Sequence, residues 1–191
     1  MPFSSQHEAI RLLLLAQSSS GSEKDFRLQN EVLDLFEHSR SGLFSYLRGM
    51  GVRDHDAEEV IQEVFLALFQ NLRRGQTYKN LRGWTFRVAH NLGLKNQNAD
   101  RRRASVTDEF IFHRQIDPGP DPEQQASARQ RQQKLLAVFD SLPEQDRACL
   151  RLRSEGLRYR EIAETLGISL GSVAQSLARS LERLHRAEER L

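Results

Sequence analysis

Tyr78, Asn80, Arg82, Arg87, His90, Asn91 and Lys95 place aromatic, amide and cationic groups along one short stretch, preceded by Arg73 and Arg74 and joined by Lys79. That mixture suits single-stranded nucleic acid, because rings stack on bases, cations neutralise phosphates and amides bond exposed base edges. A merely polar helix would carry the same residue types, so the context must decide. Arg101, Arg102 and Arg103 extend the positive strip, although a basic helix end facing its own dipole accounts for them equally well. A second polar group, Ser169, Ser172, Gln175 and Arg179, lies near the carboxy terminus and offers hydroxyl, amide and guanidinium donors suited to a DNA groove.

Catalytic chemistry is not suggested. The six histidines are scattered, and no His/Glu/Asp pair is read as having metal-ligand spacing on a predicted helix. The chain shows neither a glycine-rich phosphate loop nor a serine in a nucleophile elbow. No enzyme, metal or cofactor is therefore expected. The single cysteine, Cys149, excludes an internal disulfide and lies among apolar helix residues, where a buried thiol is the default.

The elements that would position these groups are helices. Residues 159 to 185 read as two helices joined by a tight turn: Ala163 permits close approach, Gly167 supplies a positive φ, and Val173 fills the interface. Ile162, Leu166, Ile168 and Leu177 complete the seam, and Ser169 is placed to cap the second helix. This is a helix-turn-helix pattern, though an αα-hairpin in an ordinary core has the same spacing.

Towards the amino terminus, Val32, Leu35, Phe36, Leu43 and Leu47 mark a helix ending near Gly49 and Gly51. The next helix has a wide apolar stripe through Val60, Ile61, Val64, Phe65, Leu68, Phe69 and Leu72, with Asp54 or Asp56 as cap. Its opposite face carries Asp56, Glu59, Gln62, Glu63 and Gln70 around Leu66, read as an exposed apolar knob. A solvated face explains the charges; a docking surface would also explain the knob. In the third helix, Trp84, Val88 and Leu92 share a phase that points them inward.

With 38% hydrophobic residues the chain supports small cores, and a net charge of +2 means that any nucleic-acid surface must come from local clustering. The run Ile10 to Ala16 is too short to span a bilayer, so a cytoplasmic protein without membrane insertion is expected. Composition breaks at Pro118, Pro120 and Pro122, which forbid one continuous helix. The expected organisation is all-α: an extension over 1–25, a helical domain over 26–103, a linker over 104–133 and a second helical domain over 134–191.

These motifs together resemble the extracytoplasmic-function sigma factors of the sigma-70 family. The segment 56–69, DAEEVIQEVFLALF, is similar to that family's core-polymerase-binding helix. The segment 81–91, LRGWTFRVAHN, is similar to its minus-10 helix, and residues 142–180 to its minus-35 domain. The resemblance implies a transcription initiation factor that binds RNA polymerase core, recognises promoter DNA as duplex and single strand, helps melt it and is itself not catalytic. It assigns Asp56, Glu59, Gln62, Glu63 and Leu66 to the clamp of the largest polymerase subunits. Tyr78, Asn80, Arg82, Arg87, His90, Asn91 and Lys95 would serve the minus-10 element, and Ser169, Ser172, Gln175 and Arg179 the minus-35 element. An anti-sigma factor is the implied regulator. Linker residues 117–123 resemble a segment that threads towards the polymerase cleft.

Two departures stand out. Where the family usually shows Gly-Thr-Val-Lys/Arg-Ser-Arg, this chain has Gly171-Ser172-Val173-Ala174-Gln175-Ser176, which is expected to remove two cations from the groove-facing turns. Thr85 replaces a common leucine and brings a hydroxyl into a packed position. The alternative reading is a conventional helix-turn-helix regulator that binds operator DNA without polymerase.

Overall fold

The computed structural model describes residues 23–103 and 122–189, and among these every regular element is a helix. The amino-terminal extension up to residue 22 and the linker up to residue 121 lie outside the described residues. The chain divides into two compact units, residues 1–105 and 106–191.

The first unit contains α1 (Glu23–Met50), α2 (Asp54–Arg73) and α3 (Leu81–Arg103), each packed on the other two. Heptad-like spacing puts Val32, Phe36, Leu43 and Leu47 of α1 against Val60, Ile61, Val64, Phe65 and Leu68 of α2, all essentially buried. Phe36 and Phe65 meet edge to face with ring centroids 5.1 Å apart. The chain leaves α1 through Gly51, whose φ of 95° lets the Val52 N–H reach back to the Leu47 carbonyl at 3.1 Å. Val52 is thereby tucked into the core.

Neither Asp54 nor Asp56 caps α2. The cap position is Arg53, in extended conformation and without a side-chain capping bond. The two aspartates instead occupy the first turn, where carboxylates oppose the positive end of the helix dipole, and Arg53 Nε holds Asp56 at 2.7 Å. Leu66 is half-buried and is not the exposed knob its phase suggested.

The inward face of α3 also differs from expectation. Trp84, Val88 and Leu92 are only half-buried, whereas Thr85, Phe86, Ala89 and Gly93 are buried. Small residues decide this phase: a Cβ at Gly93 would lie 3.0 Å from Leu47 Cδ2 and 3.2 Å from Met50 Cε, so α1 approaches α3 on this side. Thr85 is accommodated because its hydroxyl donates to the Arg82 carbonyl at 2.7 Å, leaving the methyl for the core.

The second unit contains α4 (Pro122–Asp140), α5 (Glu144–Ser154), α6 (Tyr159–Leu166) and α7 (Leu170–Glu188). Helix α4 begins at Pro122, inside the stretch read as linker, because proline fits the first helical turn, whose N–H needs no partner. The core gathers Leu142, Cys149, Leu152, Leu157, Ile162, Ala163, Val173 and Leu177, while Leu166 and Ile168 of the expected seam are half-buried.

Candidate nucleic-acid interface

Helix α6 ends at Gly167 with φ 67°, and the Ile168 N–H returns to the Ala163 carbonyl at 3.1 Å. Ser169 follows at once as the cap of α7, accepting from the Ser172 N–H at 3.0 Å, with the two hydroxyls 2.8 Å apart. Two helices thus meet across three residues with buried Ala163 facing the same core as Val173. At the other end of α6, Glu161 accepts from the Arg158 N–H at 2.7 Å.

The predicted groove-facing residues of α7 separate into two environments. Gln175 and Ala174 are exposed and Ser172 is half-buried, its hydroxyl held by the cap. Ser176 is fully buried and accepts from Gln145 Nε2 at 3.1 Å, so the charge missing from the exposed face is that of Ala174 alone. The expectation of two lost groove contacts is corrected accordingly: Ser176 lies four residues before Ser180, on the packed side, and the Ser180 hydroxyl donates to its carbonyl at 2.7 Å. Arg179 is half in water, with its Nη2 donating to Asp146 Oδ1 at 3.0 Å. Burial pushes the Cys149 thiol above its ordinary pKa; the Ser176 contact opposes this and the Asp146 charge adds to it.

In the first unit, the loop and α3 bring Tyr78, Asn80 and Arg82 together. Tyr78 lies against Trp84 with centroids 5.1 Å apart and its hydroxyl donates to Gln76 at 3.2 Å. Asn80 caps α3 by accepting from the Gly83 N–H at 3.1 Å. The Arg82 guanidinium sits 5.8 Å over the Phe86 ring, and Arg87 is half-buried. Farther along α3, Asn91 and Lys95 are exposed. His90 differs from them: its Nδ1 pairs with the Tyr46 hydroxyl at 2.8 Å, and burial lowers its pKa, favouring the neutral ring.

On α2, Glu59 and Glu63 are exposed, while Asp56, Gln62 and Leu66 beside them are half-buried. His55, Asp56 and Glu59 bring one potential ligand atom each within 4.8 Å of one another, an i, i+4 arrangement that the sequence reading overlooked. The trio is largely open to water and Arg53 already engages Asp56, so it belongs to the acidic strip. Two polar residues went unread altogether, Gln145 and Asp146. The signal was the spacing Asp146, Cys149, Leu152, which puts a carboxylate on an apolar helix phase.

A helix-turn-helix with a capped, partly polar second helix, on the same chain as a helical unit bearing an aromatic and basic loop, is an all-α arrangement with the geometry of DNA-binding folds. Comparison with known proteins narrows the class. Residues 35–103 match Sigma-70 region 2 and residues 132–190 match Sigma-70, region 4. The chain is 35% identical over 134 residues to the ECF RNA polymerase sigma factor SigE of Mycolicibacterium smegmatis, covering 68% of this chain and about half, 51%, of that protein. It is 30% identical over 155 residues to the RNA polymerase sigma factor NccH of Alcaligenes xylosoxydans xylosoxydans, covering 77% and 80% of the two chains. In fold it is similar to CnrH solved in complex with the cytosolic domain of CnrY, with a TM-score of 0.53, 21% identity and coverage of 93% and 96%. The chain belongs to the sigma-70 family, in its extracytoplasmic-function group.

Proposed function

We propose that this chain initiates transcription by binding RNA polymerase core and directing it to promoters with separate minus-10 and minus-35 elements. The observation that carries the reading is the presence of both family regions, residues 35–103 and 132–190, on one chain. A conventional regulator needs only the second.

In this reading Asp56, Glu59, Gln62, Glu63 and Leu66 dock on the polymerase clamp, with the two exposed glutamates as the electrostatic part and Leu66 as the apolar part. Tyr78, Arg82, Arg87, Asn91 and Lys95 engage the opened minus-10 strand, helped by Asn80, whose cap holds the loop against α3. His90 contributes by bracing α3 through Tyr46. Ser169, Ser172, Gln175 and Arg179 present α7 to the minus-35 duplex, the first two chiefly through the helix cap. The protein works in the cytoplasm and catalyses nothing itself; the polymerase supplies the chemistry. Because the neighbour CnrH was solved with the cytosolic domain of CnrY, we assign the regulation of this chain to an anti-sigma factor as well. No helix among the described residues is long and apolar enough to cross a membrane.

Reconstitution tests the reading. Full-length chain mixed with purified core polymerase should co-elute and start transcription at a defined set of genomic sites that core alone ignores. Failure to bind core while still binding duplex DNA would favour the conventional regulator.

A further inference from the structure

Asp146 is a carboxylate in the wrong place for solvent. It stands in the first turn of α5 at 2% exposure, between Leu142 and Cys149 in the core of the second unit. A charge so far from water requires a partner, and the structure supplies Arg179 of α7 through a single 3.0 Å bond from Nη2. The two ends of this pair live in different media: the Asp146 side chain is 3% exposed and that of Arg179 is 56% exposed. A guanidinium has five N–H donors in one rigid plane, so a bond at one Nη leaves most of the fork available to a ligand. Arg179 stands one helical turn beyond Gln175 and two beyond Ser172, on the outward face of α7. The neighbouring Gln145 makes a second tether, to Ser176, but that one ends on a buried hydroxyl.

We infer that Asp146, without touching DNA, is a positioning residue that fixes the plane of Arg179 so that this arginine reads one guanine of the minus-35 duplex through O6 and N7. The inference rests on the reading of α7 as the minus-35 helix. A free arginine on a helix samples many rotamers and can turn its fork to whichever phosphate lies near; a clamped one has spent that freedom in advance, and its charge is partly offset by the carboxylate. Both effects favour a base contact that needs one fixed guanidinium plane over phosphate contacts that accept many.

The test uses holoenzyme assembled from the full-length chain and core polymerase. Duplexes carrying a minus-35 element are selected from a random pool by the wild-type holoenzyme, then remade with each guanine in turn replaced by 7-deazaguanine, which lacks the N7 acceptor. One replacement should weaken wild-type binding roughly five- to tenfold. Arg179→Ala should abolish that sensitivity, and Asp146→Ala should cut it to under about twofold while binding to unselected duplex stays level or rises, since a cation has been uncovered. Asp146→Asn, which keeps the shape and one acceptor oxygen, should fall between. The double variant Asp146→Ala with Arg179→Ala should discriminate no worse than Arg179→Ala alone. Gln145→Ala cuts the other tether and should leave guanine sensitivity intact, so a general loosening of α5 from α7 is told apart from the proposed role. The inference is overturned if Asp146→Ala weakens selected and unselected duplexes by the same factor, if its effect adds to that of Arg179→Ala, or if the selected element holds no guanine. If instead Arg179→Ala and Gln175→Ala leave selection unchanged and Ala174→Lys leaves the salt dependence unchanged, the reading of α7 itself fails, and the inference with it.

Discussion

Ala174→Lys isolates the one position on the outward face of α7 where a cation is missing. The site is exposed, and the residues three and four away on either side are Leu170, Gly171, Leu177 and Ala178, so no carboxylate on the helix would neutralise the new ammonium. One added phosphate contact should steepen the slope of log affinity against log salt by about 0.9. Between about 50 and 200 mM salt, a fourfold change, the variant should therefore lose about 3.5-fold more affinity than wild type, starting from tighter binding at the low end. The gain should be shared by selected and unselected duplexes, because a phosphate contact carries no sequence information. Ser176→Ala is the matched control: it removes the acceptor for Gln145 inside the unit and should cost about 1 kcal/mol of stability without changing the slope. Fluorescence-anisotropy titrations of labelled duplex across salt, with holoenzyme, read both variants. An unchanged slope for Ala174→Lys would mean that this face of α7 does not approach the DNA backbone, and the argument from exposure would fail.

Reversing charge at Glu59 and Glu63 should weaken binding to polymerase core by about 1 to 3 kcal/mol while circular dichroism stays wild type, since both side chains are exposed; titration with labelled core checks it, and unchanged affinity would remove the docking role. Alanine at Tyr78, Arg82 or Asn91 should reduce permanganate reactivity of the melted minus-10 segment more than it reduces duplex binding, because stacking and base-edge contacts arise only after strand separation. For His90, burial holds the folded pKa below the ordinary value of 6.5, so the unfolded chain takes up a proton first as pH falls. Stability contributed by the neutral ring is thus full above about pH 6.5 and declines below it. Urea unfolding of the wild type should show that loss between about pH 7.5 and pH 5.5, whereas His90→Gln, which can still bond Tyr46, should show less of it.

Much of the fold was legible because strong periodicity dominates it. The α2 stripe from Val60 to Phe69 is apolar enough that only one face can be buried, and it is. Gly167 and Ser169 announce a helix stop and a helix start two residues apart, which no other local structure satisfies as well. The failures came where apolar content was spread around the helix. On α3 the large Trp84 and Leu92 were assigned inward, but the close approach permitted by Ala89 and Gly93 turned the helix and left the larger groups at the edge. Residue type misled at Ser176 for a related reason: alignment with a basic family pattern implied exposure, while the geometry of α7 against α5 buries it. Likewise Asp146 and His90 are polar residues whose partners, Arg179 and Tyr46, lie far away in sequence; helix phase could flag Asp146 as buried, but nothing local could reveal either partner.

The lone thiol has a practical consequence. Cys149 is fully buried in the carboxy-terminal unit, its pKa is raised by that burial, and the chain has no other cysteine. A thiol-reactive dye added to the intact protein can label it only when this unit opens, so the labelling rate is a clock for local unfolding of that half of the chain. Bound DNA or a captured regulator on that half should slow the clock in proportion to its occupancy. The chain thereby carries a built-in chemical reporter of a partner that grasps its carboxy-terminal unit.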